Sequence, residues 1–314
     1  LADPTSVSAT KYAGSEIDPD PIIGLLKLRN EAYALNRYTI EVFNNIGGTG
    51  FPFGRINGGQ IQKGCIGTDA SCVYIETIAF VGSSLNEQAS VYLGKNSEAS
   101  RISTREIDII LEGYTESELS TIKLESRNDK GNELLYMHLP LSTYVYDHAS
   151  SQALGAPVWF ELSSSVTGTG VYRANNLVYV YEKWMVGDPT TSSIGYLDDI
   201  TGHHWGSQVS WEFGTSVIYN EGNGALINDL ELVALTGRIE IGKDPSISTS
   251  YSVDGQAWST LKSIKVGTTG DRQKRIAWRR QGHLRNFRVQ RFQGDSDSHL
   301  TFARLEAQIE PLAY

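Results

Sequence analysis

Residues 22–45, IIGLLKLRNEAYALNRYTIEVFNN, contain three short apolar runs separated by two breaks. Leu26 and Leu28, then Tyr33 and Leu35, then Ile40 and Val42 alternate with their neighbours at a period of two, which puts one face of each strand in a core and the other outside. Asn30-Glu31 and Asn36-Arg37 supply the turns. A lone three-stranded meander cannot bury its apolar face, so the unit requires neighbours. It reads as one blade of a β-propeller.

Echoes of the blade follow along the chain. Thr39–Phe43 (TIEVF) is matched by Ser90–Gly94 (SVYLG), Thr143–Asp147 (TYVYD) and Ser193–Leu197 (SIGYL), at a spacing of about fifty residues, the range of kelch-like repeats. A second strand-like run precedes each echo: Val73–Gly82, Glu133–Leu139 and Asn176–Tyr181. Radial repetition is one way such strands avoid long open edges; a meandering sandwich with even spacing is the competing architecture. The prolines of Leu1–Pro21 imply an irregular surface approach, and the glycines of Gly47–Gly59 a long connector. Ser103 with Glu106, and Thr115 with Glu118, have capping-box spacing, which predicts two short helices inserted near 103–125, with Ile107, Ile110 and Leu111 on the inner face of the first and Leu119 and Ile122 behind the second cap. After Asp199 the fifty-residue period is lost. The expected division is therefore 1–201 for the blades and 202–314 for a C-terminal β-sandwich-like domain, all-β apart from the helical insertion.

Composition supports this class. Charged residues make up 20% of the 314, and 31 glycines suit many tight turns. A net charge of −9 disfavours general nucleic-acid binding and suits a surface that DNA slides past. No apolar run approaches the roughly 20 residues needed to span a bilayer, so no membrane insertion by this chain is expected. The opening Leu1-Ala-Asp-Pro4, without an initiator Met, reads as a fragment or a processed product. Cys65 and Cys72, the two cysteines, are expected as free thiols, since so few do not mark an oxidised scaffold and no spaced His completes a zinc site.

Chemistry-bearing constellations are sparse. Tyr251–Trp258, YSVDGQAW, resembles the Asp box of sialidase-type propellers, in which Asp254 would bond turn amides while Trp258 packs below. No arginine cluster or acid/base pair accompanies it, so a sialidase-like glycosidase or a glycan-binding, lectin-like module is the alternative function. His203-His204 beside Asp198-Asp199 reads as a turn between domains, and His138 as a core histidine. No nucleophile elbow or phosphate loop occurs, so no catalytic, cofactor or metal site is expected. The densest charge is residues 271–292, DRQKRIAWRRQGHLRNFRVQRF, expected as two antiparallel strands with Phe287 and Val289 inward and Arg288 and Gln290 outward. Arg279, Arg280, Arg285, Arg288 and Arg291 form the candidate protein interface, because the arginine fork pairs bidentately with carboxylates.

Several segments in order, SEIDPDPIIGLLKLRNEAYALNRYTIEVFNNIGG, FPFGRINGG, SRISTREID, YVYD, VGD, IGYLD, YSVDGQAW and GDRQKRIAWRRQGHLRNFRVQRF, span nearly the whole chain. Together they resemble the packaged-DNA-stabilisation, or tail-hub (nozzle-like), proteins of short-tailed bacteriophages. The resemblance implies a non-enzymatic homo-hexameric ring without cofactors, located in the virion tail and assembled in the host cytoplasm. It would close the portal and adaptor ring after packaging, dock the tail needle and the tailspikes or fibres, and pass double-stranded DNA without sequence-specific binding. The family's longer N-terminus implies that the first blades lie upstream of Leu1. It transfers no catalytic residue.

Overall fold

The first blade forms where the alternation places it: β1 (Ile22–Leu28), β2 (Glu31–Asn36) and β3 (Ile40–Asn45) pair antiparallel in sequence order. Tyr33, Leu35 and Ile40 are fully buried and Val42 nearly so. A fourth strand, β4 (Phe53–Ile61), occupies most of the expected connector. The glycines mislead there because they serve a bulge. The β3–β4 register shifts between Glu41 and Phe43, and Gly58 takes φ +76°. This computed structural model describes residues 14–15, 17–47, 51–298 and 300–312. Most of the expected N-terminal approach, residues 1–13 and 16, lies outside the described residues, as do 48–50 of the connector.

Three further antiparallel sheets follow. The second holds β5 (Ser71–Tyr74), β6 (Thr77–Gly82), β7 (Ser90–Lys95) and β8 (Glu98–Arg101), the run Val73–Gly82 being split by a turn at Ile75, φ 55°. After helices α1 (Arg105–Glu112) and α2 (Glu116–Leu119), the third holds β9 (Lys123–Asp129), β10 (Asn132–His138), β11 (Thr143–Asp147) and β12 (Trp159–Leu162). Helix α3 (His148–Leu154) lies before β12, capped by Asp147 accepting from the Ser150 amide and closed by Gly155 in the left-handed region. The fourth holds β13 (Asn175–Val180), β14 (Lys183–Gly187) and β15 (Ile194–Tyr196). The four echoed segments coincide with β3, β7, β11 and β15, each the third strand of its sheet. Asn176–Tyr181 instead supplies the first strand of its sheet, because Lys183–Gly187 makes the second.

Backbone contacts join the first two sheets of this unit, and one apolar core is shared by the first three. The Gly64 amide donates to Ser83 O and the Cys65 amide to Asn36 O. The approach leaves no room for side chains: a Cβ on Gly64 would lie 2.3 Å from Tyr38 N, and one on Gly82 1.7 Å from Gly64 O. Ile78, Phe80 and Val81 of β6 and Leu135 and Met137 of β10 are fully buried in the common core. Cys65 and Cys72 are free thiols, and burial pushes Cys65 up to about 11.

Helix α1 begins one residue later than its cap spacing predicts. Thr104 is the N-cap and makes no side-chain cap bond, whereas Ser103 accepts from the Val91 amide at 3.3 Å and Arg101 Nε at 3.2 Å. Tertiary partners have captured the hydroxyl. Thr115 does form a capping box with Glu118. Ile107 and Leu111 of α1 face the core, with Leu119 and Ile122 beyond the second cap. Buried Asp108 accepts from Ser90 Oγ at 2.9 Å and pairs with Arg101, pinning α1 to β7.

One compact unit comprises Leu1–Leu162 with Val171–Tyr196; the other comprises Ser163–Gly170 with Leu197–Tyr314. The second unit builds two sheets. Their strands are β16 (Ser210–Gly214), β17 (Ile218–Tyr219), β18 (Ala225–Leu235), β19 (Ser246–Ser252), β20 (Lys262–Lys265), β21 (Ala277–Leu284), β22 (Phe287–Asp295) and β23 (Thr301–Pro311). One sheet runs β16-β22-β19-β20 with β17 also on β22; the other runs β21-β18-β23. Inward residues from both, including Ile227, Leu230, Ile247, Trp278, Leu284 and Phe292, form its core.

Candidate protein interface

The arginine-rich stretch does not make the expected hairpin. Strand β21 pairs with β18 and β22 with β19, β16 and β17, so Arg285-Asn286 carries the chain from one sheet to the other. A core supplied by both strands explains the crossing: Trp278 of β21 and Phe292 of β22 place their ring centroids 5.5 Å apart inside the unit. Arginines on the two strands therefore do not share one face.

The inward–outward phase of β22 is also reversed. Arg288, Gln290 and Phe292 are fully buried, while Phe287, Val289 and Arg291 are half-buried. Phe292 sets the phase, since period-two alternation carries Gln290 and Arg288 inward with it. Burial is tolerated because the guanidinium is engaged. Nη1 donates to Gln281 O at 2.6 Å; Nε and Nη2 donate to Gln290 Oε1 at 3.0 and 2.7 Å. Gln290 Nε2 in turn donates to Thr249 Oγ1 at 2.6 Å. Desolvation pushes Arg288 down to about 10, which still leaves it charged at neutral pH. It is a core residue and cannot contact a partner.

Arg291 has a local partner as well. Its guanidinium lies 4.0 Å from the Trp258 ring centroid, Nε donates to Ser250 Oγ at 3.3 Å, and Glu212 is 3.9 Å away. Trp258, 37% exposed, thus supports an arginine where the Asp-box pattern predicts packing below the turn. Asp254 behaves as that pattern implies: its Oδ1 accepts from the Gln256 and Ala257 amides at 2.9 and 2.8 Å and from Ser252 Oγ. Those amides hold its carboxyl below the usual range, in a turn-stabilising role.

Exposed Arg279, Arg280 and Arg285 remain of the candidate set, and no ion pair joins them to acidic groups among the described residues. Arg279 and Arg280 sit at a β21 bulge, where the register shifts opposite Ile227 and Asp229 and Arg280 takes φ 54°. The bulge turns consecutive arginines outward. Lys262 Nζ, bonded to Arg280 O at 3.0 Å, adds a further cation. Arg275 is engaged elsewhere, its Nε donating to Glu231 Oε1 at 2.8 Å.

The histidines have separate partners. His138 is buried between Glu125 Oε2 at 3.1 Å and Thr143 Oγ1 at 3.2 Å. His203 meets Asp297 at 3.0 Å, whereas His204 meets Ser164 Oγ at 2.9 Å. Among the described residues no group of three His, Cys, Asp or Glu is arranged to hold a metal ion, and no helix is long and apolar enough to cross a membrane.

Comparison with known proteins supplies the family. The profile described as "Bacteriophage P22 Gp10, beta-propeller" matches residues 1–202, and that described as "Bacteriophage P22 Gp10, beta-sandwich" matches residues 210–310. The tail hub protein gp10 of Salmonella phage P22 is 27% identical over 274 residues, covering 86% of this chain and 57% of that protein. The chain thus spans little more than half of this relative's length. Superpositions on solved enzymes are poor. An exo-β-1,3-galactanase from Phanerochaete chrysosporium gives 9% identity over 90% of this chain and 80% of that one, with a TM-score of 0.30. A β-fructofuranosidase from Bombyx mori gives 9% over 93% and 92%, with a TM-score of 0.26, and neither value establishes a shared fold. With its sheet repeat matched by the propeller profile and its two-sheet unit by the sandwich profile, the chain belongs to the bacteriophage P22 Gp10 family of tail hub proteins.

Proposed function

We propose that this protein is a structural component of a short-tailed phage tail, assembling as a homo-hexameric ring below the portal and adaptor. Residues 1–201 would act as its propeller part and 202–314 as its sandwich part. The ring retains the packaged genome, docks the needle and the tailspikes or fibres, and provides the exit channel; assembly takes place in the host cytoplasm. The observation that carries this reading is the match of both parts to the family of a tail hub protein. The net charge of −9 supports a wall that repels phosphate, since each neutralised phosphate would add affinity through counterion release and retard the duplex.

Within that role, Arg279, Arg280 and Arg285 serve protein contact. Each is exposed, and unpaired guanidinium forks fit carboxylates on a tail neighbour. The test is Arg279→Glu with Arg285→Glu, read by assembly with isolated adaptor, needle and spike proteins and by a salt series of duplex-DNA binding. Weakened assembly without a DNA effect is expected. Normal assembly with loss of a steep, salt-dependent DNA affinity would falsify the contact role, and normal behaviour in both assays would mean a solvated face.

A further inference from the structure

Strand β23 stands last in the order β21-β18-β23, so among the described residues no strand pairs with its other edge. Along its 11 residues all are exposed except half-buried Leu305. Pairing with β18 assigns its two faces. Leu305, Ala307 and Ile309 lie opposite Leu232, Leu230 and Ile227, which are at most 2% exposed and belong to the core. Arg304, Glu306 and Gln308 lie opposite Val233, Glu231 and Asp229. The strand therefore continues the core-facing side of its sheet with an apolar row left open to solvent, Ile309 being 42% exposed. A free edge of this kind is a template for another strand.

We propose that β23 pairs antiparallel with β23 of a second copy, about a two-fold axis through Ala307. The segment Arg304–Glu310, RLEAQIE, is its own complement in that arrangement. Arg304 faces the partner's Glu310, and Glu310 faces the partner's Arg304. Glu306 faces the partner's Gln308. On the other face Leu305 meets the partner's Ile309, while the small Ala307 sits on the axis against its own copy. Opposite charges and apolar pairs directly across an antiparallel ladder are the stabilising combinations.

Most other registers fail on the same criteria, while an axis at Leu305, which sets Arg304 against Glu306, would carry the ladder across the bulge at Ala303, and one at Ile309 would carry it onto Pro311. An axis at Glu306 sets that carboxylate against itself, and one at Gln308 sets Glu306 against Glu310. Any axis between residues puts the apolar row of one copy opposite the charged row of the other. The limits of regular strand also agree: β23 bulges at Ala303, and Pro311 has no amide hydrogen, and these two positions face each other when the axis is at Ala307. Such a contact is isologous and closes at two copies. It uses a strand other than the arginine-bearing β21 and belongs to the chain outside a cyclic ring.

A seven-residue strand pair is smaller than a standard interface, so a dissociation constant of about 0.01–1 mM is expected. Sedimentation equilibrium across that range, on the wild type, Arg304→Glu, Glu310→Arg, the double variant and an equimolar mixture of the two single variants, provides the test. All the substituted side chains are exposed, and unchanged unfolding midpoints would show that the variants fold. Each single reversal creates like charges at both ends of the ladder and should weaken self-association about tenfold. The double variant restores both pairs, and so does the mixture, whose two chains complement each other as a heterodimer. A protein that stays monomeric at 1 mM (roughly the limit of the expected range) would overturn the proposal. So would a dimer indifferent to the single reversals, or a mixture that associates no better than its components.

Discussion

The Arg288 guanidinium carbon lies 3.8 Å from the centroid of the Tyr251 ring, so a fully buried cation is held by an aromatic face and amide oxygens. The same guanidinium links Gln281 of β21 to Gln290 of β22, hence one sheet of the unit to the other. Removing it would strand two acceptors, Gln281 O and Gln290 Oε1, and leave a cavity. Arg288→Ala should therefore destabilise the protein by about 3 kcal/mol, whereas Arg279→Ala and Arg285→Ala stay within about 0.5 kcal/mol. Urea unfolding followed by tryptophan fluorescence separates these; equal midpoints for all three would contradict the burial of Arg288.

Close backbone approach at Gly82 gives a second prediction. A Cβ there meets the Gly64 carbonyl oxygen at 1.7 Å, and neither backbone can yield without breaking the bonds between the first two sheets. Gly82→Ala should cost more than about 3 kcal/mol. Gly131, at φ +91° with open space around it, should cost only about 1 kcal/mol on the same substitution. The comparison of the two midpoints is the check, and near-equal losses would argue against the packing of β6 on residues 64–65.

The Thr115 cap is the third. Its hydroxyl accepts from the Glu118 amide at 3.4 Å while Glu118 Oε2 accepts from the Thr115 amide at 2.8 Å. Thr115→Ala should cost about 1 kcal/mol and accelerate amide exchange over residues 116–119. Ser103→Ala should leave α1 exchange unchanged, because that hydroxyl bonds Val91 rather than the helix.

Much of the first unit was legible because its strands obey one-sided burial. Leu35, Ile40 and Val91 are apolar and buried on schedule, so period and spacing located all four third strands. Strand β4 was hidden by glycines that serve a bulge rather than end a strand. Helix α3 was signalled only by Asp147 at its start and Gly155 at its end, around HASSQAL, which has no apolar stripe. In the arginine stretch the alternation was visible but its phase was not: Phe287 and Val289 suggest one face, and Phe292 decides for the other. Which sheet each strand joins depends on partners far along the chain, and local pattern does not encode that.

Acid sensitivity follows from Glu125. Burial opposes its ionisation, but hydrogen bonds from His138 and Lys123 outweigh that and hold its carboxyl below the usual range. Its folded-state pKa lies below the unfolded one. The stabilisation it provides is present above the unfolded value, near 4.3, and is lost as pH falls through the lower folded value. Thermal midpoints should therefore drop as pH falls below about 4.3, and Glu125→Gln should be less stable at pH 7 with a shallower acid slope. Parallel slopes for the two proteins would remove Glu125 from the acid response.

The most direct measurement is imaging of phage particles that carry this protein with an added label at a surface loop, averaged with the symmetry of the tail. A structural hub should give label density in a ring at the tail, around a channel wide enough for a DNA duplex, and the purified protein should release no sugar from glycan substrates. Labelled particles with no density at the tail, or a purified monomer that turns over a glycan, would contradict it.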